Sequence, residues 1–286
     1  MSNIKIGILL NSGLGNQLFM IFALLSYSID YLHDYVLFFD PAKMKSYWDS
    51  ILYTLKSFAT EINDKTNTIN IYEEPFFHYS KIPIVSCDTN MKGYFQSYKY
   101  FDHNLQQIMS ILNLNSQISS VRDEYLHYFS KKTIALHFRI GDYIGLQGFH
   151  CIKKPEYYIG AFEKLNNKLQ EQNDNIYNYD ILYFCQKQDN DIVSIYLDVL
   201  NKKFKNINFV KIADDIPDWK QLLLMTSCDH FIIANSTFSW FGAYLSQSYQ
   251  ENHAIICYPN TWFGPFYNHN IKDLCPLNWY AIGDNE

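Results

Sequence analysis

Arginine stands at two positions of this chain, Arg122 and Arg139, although Lys and Arg together number 23. Lysine fills every other cationic position. A planar guanidinium at Arg139 therefore points to a task that lysine performs poorly, above all bidentate binding of phosphate or carboxylate. Arg139 lies in His137-Phe-Arg-Ile-Gly-Asp142. The preceding apolar residues read as a buried strand that runs into a Gly-Asp turn. Ligands of α/β sheets bind at the carboxyl ends of strands. Alternation along an extended strand puts His137 and Arg139 on one face, a pairing suited to an anionic ligand. The plainer reading of the same residues is a structural Arg139–Asp142 ion pair.

Three further constellations could carry chemistry. In the run 234–245, a strand ends at Ala234, and Asn235, Ser236, Thr237 and Ser239 supply hydroxyls and free N–H groups at a helix start. Such a start can cradle phosphate without lysine, and it can equally be an ordinary cap. Near the N-terminus, Asn11-Ser-Gly-Leu-Gly-Asn-Gln17 links a strand to a helix. Gly13 and Gly15 would let the backbone turn tightly and approach a ligand. The segment is neither a Walker loop nor a complete G-x-G-x-x-G. Asp189-Asn-Asp191 could hold a divalent cation, but a helical pattern follows and capping is the favoured reading. Asp214 and Asp215 follow a strand and could accept hydrogen bonds from a guanine edge, or simply form a solvated loop.

These residues need a scaffold, and the pattern from residue 131 onward supplies one. β-rich runs at 134–138, 181–185, 209–212, 230–234 and 254–258 alternate with helical patterns at 155–169, 191–200, 218–227 and 237–247. That alternation implies a doubly wound parallel sheet. The N-terminal half is a looser α/β arrangement. It has a strand at 4–10, a helix at 16–31 and a strand at 35–39. Residues 82–85 and 91–96 read as extended, and 100–112 and 116–129 as helical. The expected division is an N-terminal domain 1–130 and a C-terminal domain 131–286, with a ligand cleft where two such halves meet.

Hydrophobic residues make up 48% of the chain, enough for a sizeable core. The net charge of −6 argues against nucleic acid, whose phosphate backbone needs a basic face. The six cysteines form no C-x-x-C pair and no zinc framework. No apolar run approaches the ~20 residues of a membrane span. The expectation is a soluble cytoplasmic protein, with peripheral contact to a membrane surface left open.

Taken together, the motifs resemble the α-1,2-fucosyltransferases of glycosyltransferase family 11. The resemblance rests on Gly13-Leu-Gly-Asn-Gln-Leu-Phe19, Glu74 with Phe77 and Tyr79, and Gly93-Tyr-Phe-Gln-Ser97 followed by Tyr100-Phe101. It continues through His137-x-Arg139-x-Gly-Asp-Tyr143, the runs 222–228 and 234–245, Trp262-Phe263, and Pro276-Leu-Asn-Trp279. It implies a GT-B-like fold of two facing Rossmann-like halves. It further implies GDP-β-L-fucose as donor, inversion at the transferred sugar, a glycan acceptor (a galactoside O2) and no metal or other cofactor.

By the same resemblance, the C-terminal half holds GDP and the N-terminal half faces the acceptor. Arg139 would bind the diphosphate and stabilise it as it leaves. His137 and Asp214 or Asp215 would contact the nucleoside. Asn235, Ser236, Thr237, Phe238 and Ser239, with Gly13, Gly15, Asn16 and Gln17, would complete the donor site. Glu74 is the candidate general base. The family often carries a second arginine after the first, where this chain has Ile140. Open alternatives are transfer of another GDP-hexose or to another hydroxyl, a metal-dependent transferase using Asp189 and Asp191, and a nucleotide-sugar- or glycan-binding protein without turnover.

Overall fold

The computed structural model describes residues 3–62, 70–249 and 254–283. The chain divides into two compact units. The first comprises 1–117 with 269–276, and the second comprises 118–268 with 277–286. The division expected near residue 130 thus lies inside the second unit. The segment 269–276, expected with the C-terminal domain, joins the first.

The first unit is built on strands β1 (Lys5–Leu9), β2 (Asp34–Phe39), β3 (Ala59–Glu61), β4 (Asn70–Glu73) and β5 (Thr89–Lys92). They form a parallel sheet in the order β3-β2-β1-β5-β4. Helix α1 (Leu14–Tyr31) follows β1 and is buried along most of its length. Its Phe19 and Phe22 meet Phe101 at ring separations of 5.9 and 5.3 Å, which anchors the helix in the core. Leu32 ends α1 in the left-handed conformation, its N–H bonded back to Ile29 and Ser28 carbonyls. The expected helix 100–112 is shorter, with 3-10 turns preceding α2 (Leu105–Ile111), and α3 spans Leu114–Glu124.

Residues 82–85 are not a strand. The Tyr27 hydroxyl donates to the Pro83 carbonyl at 2.8 Å and accepts the Val85 N–H at 3.1 Å, meeting by side chain what a ladder would meet by backbone.

The second unit alternates strand and helix until its last two strands, which no helix separates. It runs β6 (Lys132–His137), α4 (Pro155–Glu171), β7 (Tyr179–Phe184), α5 (Asn190–Lys203), β8 (Asn208–Lys211), α6 (Asp218–Thr226), β9 (His230–Ile232), α7 (Thr237–Tyr249), β10 (Ile256–Pro259) and β11 (Tyr280–Ile282). All strands are parallel, in the order β8-β7-β6-β9-β10-β11. This is the Rossmann order, with its reversal between β6 and β9. Pro155 opens α4 at its first turn, where its missing N–H costs nothing. Phe138, Ile140, Tyr157, Phe162 and Ile181 are fully buried in the core beneath α4 and α5. Among the described residues, no helix is long and apolar enough to cross a membrane.

Candidate functional site

The strand order reverses between β6 and β9, and in such sheets the reversal opens the crevice beyond the carboxyl ends where ligands bind. The two strands are paired directly, Leu136 opposite Ile232. His137 ends β6, Arg139 follows two residues later, and Asn235 lies just past β9. Among the described residues, His137 Nδ1, Arg139 Nε and Asn235 Oδ1 are all buried without a hydrogen-bond partner. Buried polar atoms are normally satisfied, because desolvation without a partner costs about 1–3 kcal/mol. Seven further such atoms are spread over the described residues, whereas these three meet at one switch point.

Each of the three is held by its unit. The guanidinium of Arg139 pairs with Asp142 and lies 5.6 Å from the Tyr143 ring centroid. The plainer sequence reading, an Arg139–Asp142 ion pair, is therefore present, and it leaves Nε uncommitted. Asn235 donates its amide N–H groups to the carbonyls of Cys151 and Trp262, both at 2.9 Å. The Tyr143 hydroxyl donates to the Asn235 carbonyl at 2.9 Å. Burial lowers the His137 pKa to about 3, with the Arg139 charge acting in the same direction, so the imidazole is neutral. Its ring lies 5.7 Å from Phe238, at the start of α7. The first turn of that helix supplies N–H groups that its own carbonyls do not bind.

Not every residue expected here faces the crevice. Ser239 is fully buried, and its hydroxyl contacts the Ala234 and Ser236 carbonyls at 3.4 and 3.3 Å. It holds the helix start together from the inside. Ser236 is buried and its N–H is bonded to the Ala234 carbonyl at 2.8 Å. Thr237 and Phe238 keep partial exposure. Asp214 and Asp215 follow β8, which β7 separates from β6. Asp214 is tied to Lys211 and to the Asn190 amide, which lower its pKa. Asp215 is exposed. The geometry thus brings His137, Arg139, Asn235 and Phe238 together and leaves the two aspartates further along the edge.

Asp189 is the residue whose role sequence reasoning missed. It precedes α5 as expected, but its carboxylate does not cap that helix. It is buried and accepts the N–H of Gly141 at 3.1 Å. A side chain at Gly141 would bring Cβ within 2.5 Å of Asp189 Oδ1. The pair is 48 residues apart in sequence, and only the adjacency of β6 and β7 joins it. Ile140, the residue after Arg139, is fully buried in the core.

The first unit has its own order reversal, between β1 and β5. The turn after β1 is made not by its glycines but by Ser12, whose φ is 64°. Gly13 is extended, with φ −76°, and an added Cβ there meets nothing within 4 Å. Gly15 already lies inside α1. The conformational argument for these glycines is thereby corrected. Gln17 is fully buried, and its amide donates to the Ser12 and Lys45 carbonyls at 2.9 and 3.1 Å, clamping the loop. Asn16 accepts from Gln96 at 3.0 Å, and the Ser12 and Tyr94 hydroxyls lie 3.1 Å apart.

Glu74 follows β4. Its Oε2 accepts the N–H groups of Tyr94 and Phe95 at 3.0 and 2.9 Å, and the Tyr100 hydroxyl lies 3.4 Å from Oε1. Gly93 (φ 154°) packs so closely on Glu74 that a Cβ would lie 2.5 Å from the Glu74 Cβ, and Phe95 (φ 52°) is left-handed. Glu74 is therefore the clasp of a tight turn. Burial raises its pKa to about 7, against the opposing effect of these hydrogen bonds.

The family model described as Glycosyl transferase family 11 matches residues 3–282. The chain is 29% identical over 196 residues to an alpha-1,2-colitosyltransferase of Escherichia coli, covering 66% of this chain and 61% of that protein. It is 25% identical over 201 residues to the O-antigen biosynthesis glycosyltransferase WbnK of Escherichia coli, covering 66% and 59%. The matched region thus spans about three fifths of each relative's length. Among solved structures, fucosyltransferase NodZ from Bradyrhizobium is similar at 12% identity and a TM-score of 0.42, covering 86% of this chain and 94% of that one.

Proposed function

Because the chain belongs to glycosyl transferase family 11, we propose that it moves L-fucose from GDP-β-L-fucose to a glycan hydroxyl, O2 of a galactoside, with inversion and without a metal. The observation that carries this reading is the set of orphan polar atoms on His137, Arg139 and Asn235 at the switch point of the second unit. Arg139 Nε and the start of α7 are donors suited to a diphosphate. They stabilise the charge that grows on the leaving group as the sugar bond breaks, which is where fixed donors act most strongly. A neutral His137 adds hydrogen bonding without charge. Asp215, exposed past β8, is the carboxylate left for a guanine edge, since Asp214 is committed to Lys211.

Glu74 keeps its place as a candidate base through its pKa near 7, a value at which a carboxylate exchanges protons readily at neutral pH. Its clasp role is the competing account, and the two separate by substitution. A second reading, transfer of colitosyl or another related sugar from a GDP donor, is favoured by the colitosyltransferase relative. Turnover of a panel of GDP-sugars against a panel of galactosides distinguishes the donors. Calorimetry with GDP and UDP tests the base: tighter GDP is expected, and equal affinity removes the guanine assignment.

A further inference from the structure

Outward from Arg139 runs a series of aromatic rings that the proposed donor chemistry leaves unused. Tyr143, beside the guanidinium, stacks on His150 at 4.8 Å and 18°. His150 lies 6.0 Å from Tyr267, Tyr267 lies 5.1 Å from Phe149, and Phe149 lies 5.3 Å from Phe266. The outer rings are open to solvent: Phe266 is 72% exposed, Tyr267 40% and Phe149 39%. Scattered exposed apolar side chains are ordinary, but a contiguous ring patch beside a ligand crevice marks a binding surface.

The patch is built on two loops, one following β6 and the other following β10, and they are fixed to each other. The Gly264 N–H donates to the Phe149 carbonyl at 2.8 Å, and the Phe266 N–H donates to the Gly148 carbonyl at 2.7 Å. The loops approach so closely that a Cβ on Gly264 would lie 2.3 Å from the Gln147 carbonyl oxygen. Rings held this way lose little freedom on binding, which favours affinity.

Charge narrows the occupant. Residues 139–150 and 260–268 contain no lysine, and their charged residues are Arg139 and Asp142, paired with each other. An anionic lipid surface is recognised through lysine and arginine beside apolar groups, and the ring-bearing segments themselves carry no lysine, Lys153, Lys154 and Lys272 lying outside them. Tyr143 and His150 stack, and the outer rings meet edge-on at 61–78°, so each exposed ring offers its own neutral face to the apolar C–H side of a pyranose ring. We propose that the Tyr143–His150–Tyr267–Phe149–Phe266 track, on the second unit rather than on the N-terminal half that the resemblance turns to the acceptor, is a carbohydrate subsite that stacks a neutral hexopyranose of the acceptor glycan. This rests on the reading of Arg139 as the diphosphate residue, which sets the reacting end of the track.

The test uses the whole chain and lactose as probe. Phe266→Ala removes an exposed ring, so the melting temperature should stay as in the parent. KM for lactose should rise about tenfold, the scale of one lost ring contact, with kcat and GDP affinity within about twofold. Phe266→Trp should restore KM. An unchanged lactose KM in Phe266→Ala overturns the proposal. So does loss of binding to vesicles of phosphatidylethanolamine and phosphatidylglycerol with KM intact, since the patch is then a lipid contact. If the parent binds no GDP and turns over no GDP-sugar, the functional reading has failed. Saturation-transfer NMR with lactose then decides the subsite separately: transfer that Phe266→Ala abolishes supports it, and no transfer to the parent overturns it.

Discussion

The buried carboxylate of Asp189 accepts the backbone N–H of Gly141 at 3.1 Å, joining the turn after β6 to the segment after β7. Arg139 sits two residues before that N–H, so the clamp fixes the turn that carries the guanidinium. Asp189→Ala leaves the donor unpaired, and chemical denaturation should show a loss of about 1–3 kcal/mol. Asp189→Asn keeps an acceptor oxygen and should recover most of that stability and most of kcat/KM. Gly141→Ala should resemble Asp189→Ala, because its Cβ would press on the carboxylate at 2.5 Å. An Asp189→Ala variant with parental stability and activity removes the clamp from the account.

Much of the second unit was legible because its chemistry is local. Apolar runs of strand length alternate with helical patterns, and Pro155 marks a helix start, so β6 to β10 fall where the pattern puts them. The short strands β3, β4 and β11 were missed. Each has three or four residues and exposed positions, so no apolar run announces it. The donor motif was legible in part. His137 and Arg139 were singled out by residue type, but Arg139 lies past the strand's end, in a turn, rather than on its face. Clamps between distant segments could not be read at all. Asp189 on Gly141, Asn235 on Cys151 and Trp262, and Glu74 on Tyr94 and Phe95 pair residues that only strand order brings together.

Transfer without a metal is part of the proposal, and Asp189, one of the two carboxylates that a cation would need, is engaged by the Gly141 N–H. Turnover is expected to survive EDTA unchanged. Complete loss, restored by Mn²⁺, would return Asp189 and Asp191 to consideration as cation ligands.

Two buried titrating groups tilt stability with pH in opposite directions. Glu74 is raised by burial from 4.5 to about 7. The folded chain then holds more protons than the unfolded one between those values, so its contribution is present below pH 4.5 and is lost as pH rises to about 7. His137 is lowered by burial from 6.5 to about 3. There the unfolded chain holds more protons, so stability rises with pH across that window and is lost as pH falls. Melting temperature against pH should lose its fall towards neutrality in Glu74→Gln and part of its acid fall in His137→Gln. The same Glu74→Gln variant separates clasp from base. A glutamine oxygen still accepts both N–H groups, so a clasp keeps kcat within a few-fold, whereas a lost base lowers it about 10²–10⁴-fold.

Arg139→Lys tests the diphosphate reading most directly. Lysine preserves the charge and the means to pair with Asp142, but it has no Nε–H and no planar fork. A requirement for charge alone would leave activity nearly intact. The buried, unpartnered Nε argues otherwise, because lysine places no donor at that position. A charge-assisted hydrogen bond contributes about 1.5–3 kcal/mol, so kcat/KM should fall roughly 10- to 100-fold, with Arg139→Ala lower still. Arg122→Lys is the control: Arg122 lies in α3 over the Phe129 ring at 5.1 Å, apart from the crevice, and its replacement should leave kcat/KM unchanged. Because Arg139 also pairs with Asp142, melting temperatures must be followed in parallel. Near-full activity in Arg139→Lys, or activity lost only together with the fold, would show that the guanidinium serves the turn and not the diphosphate.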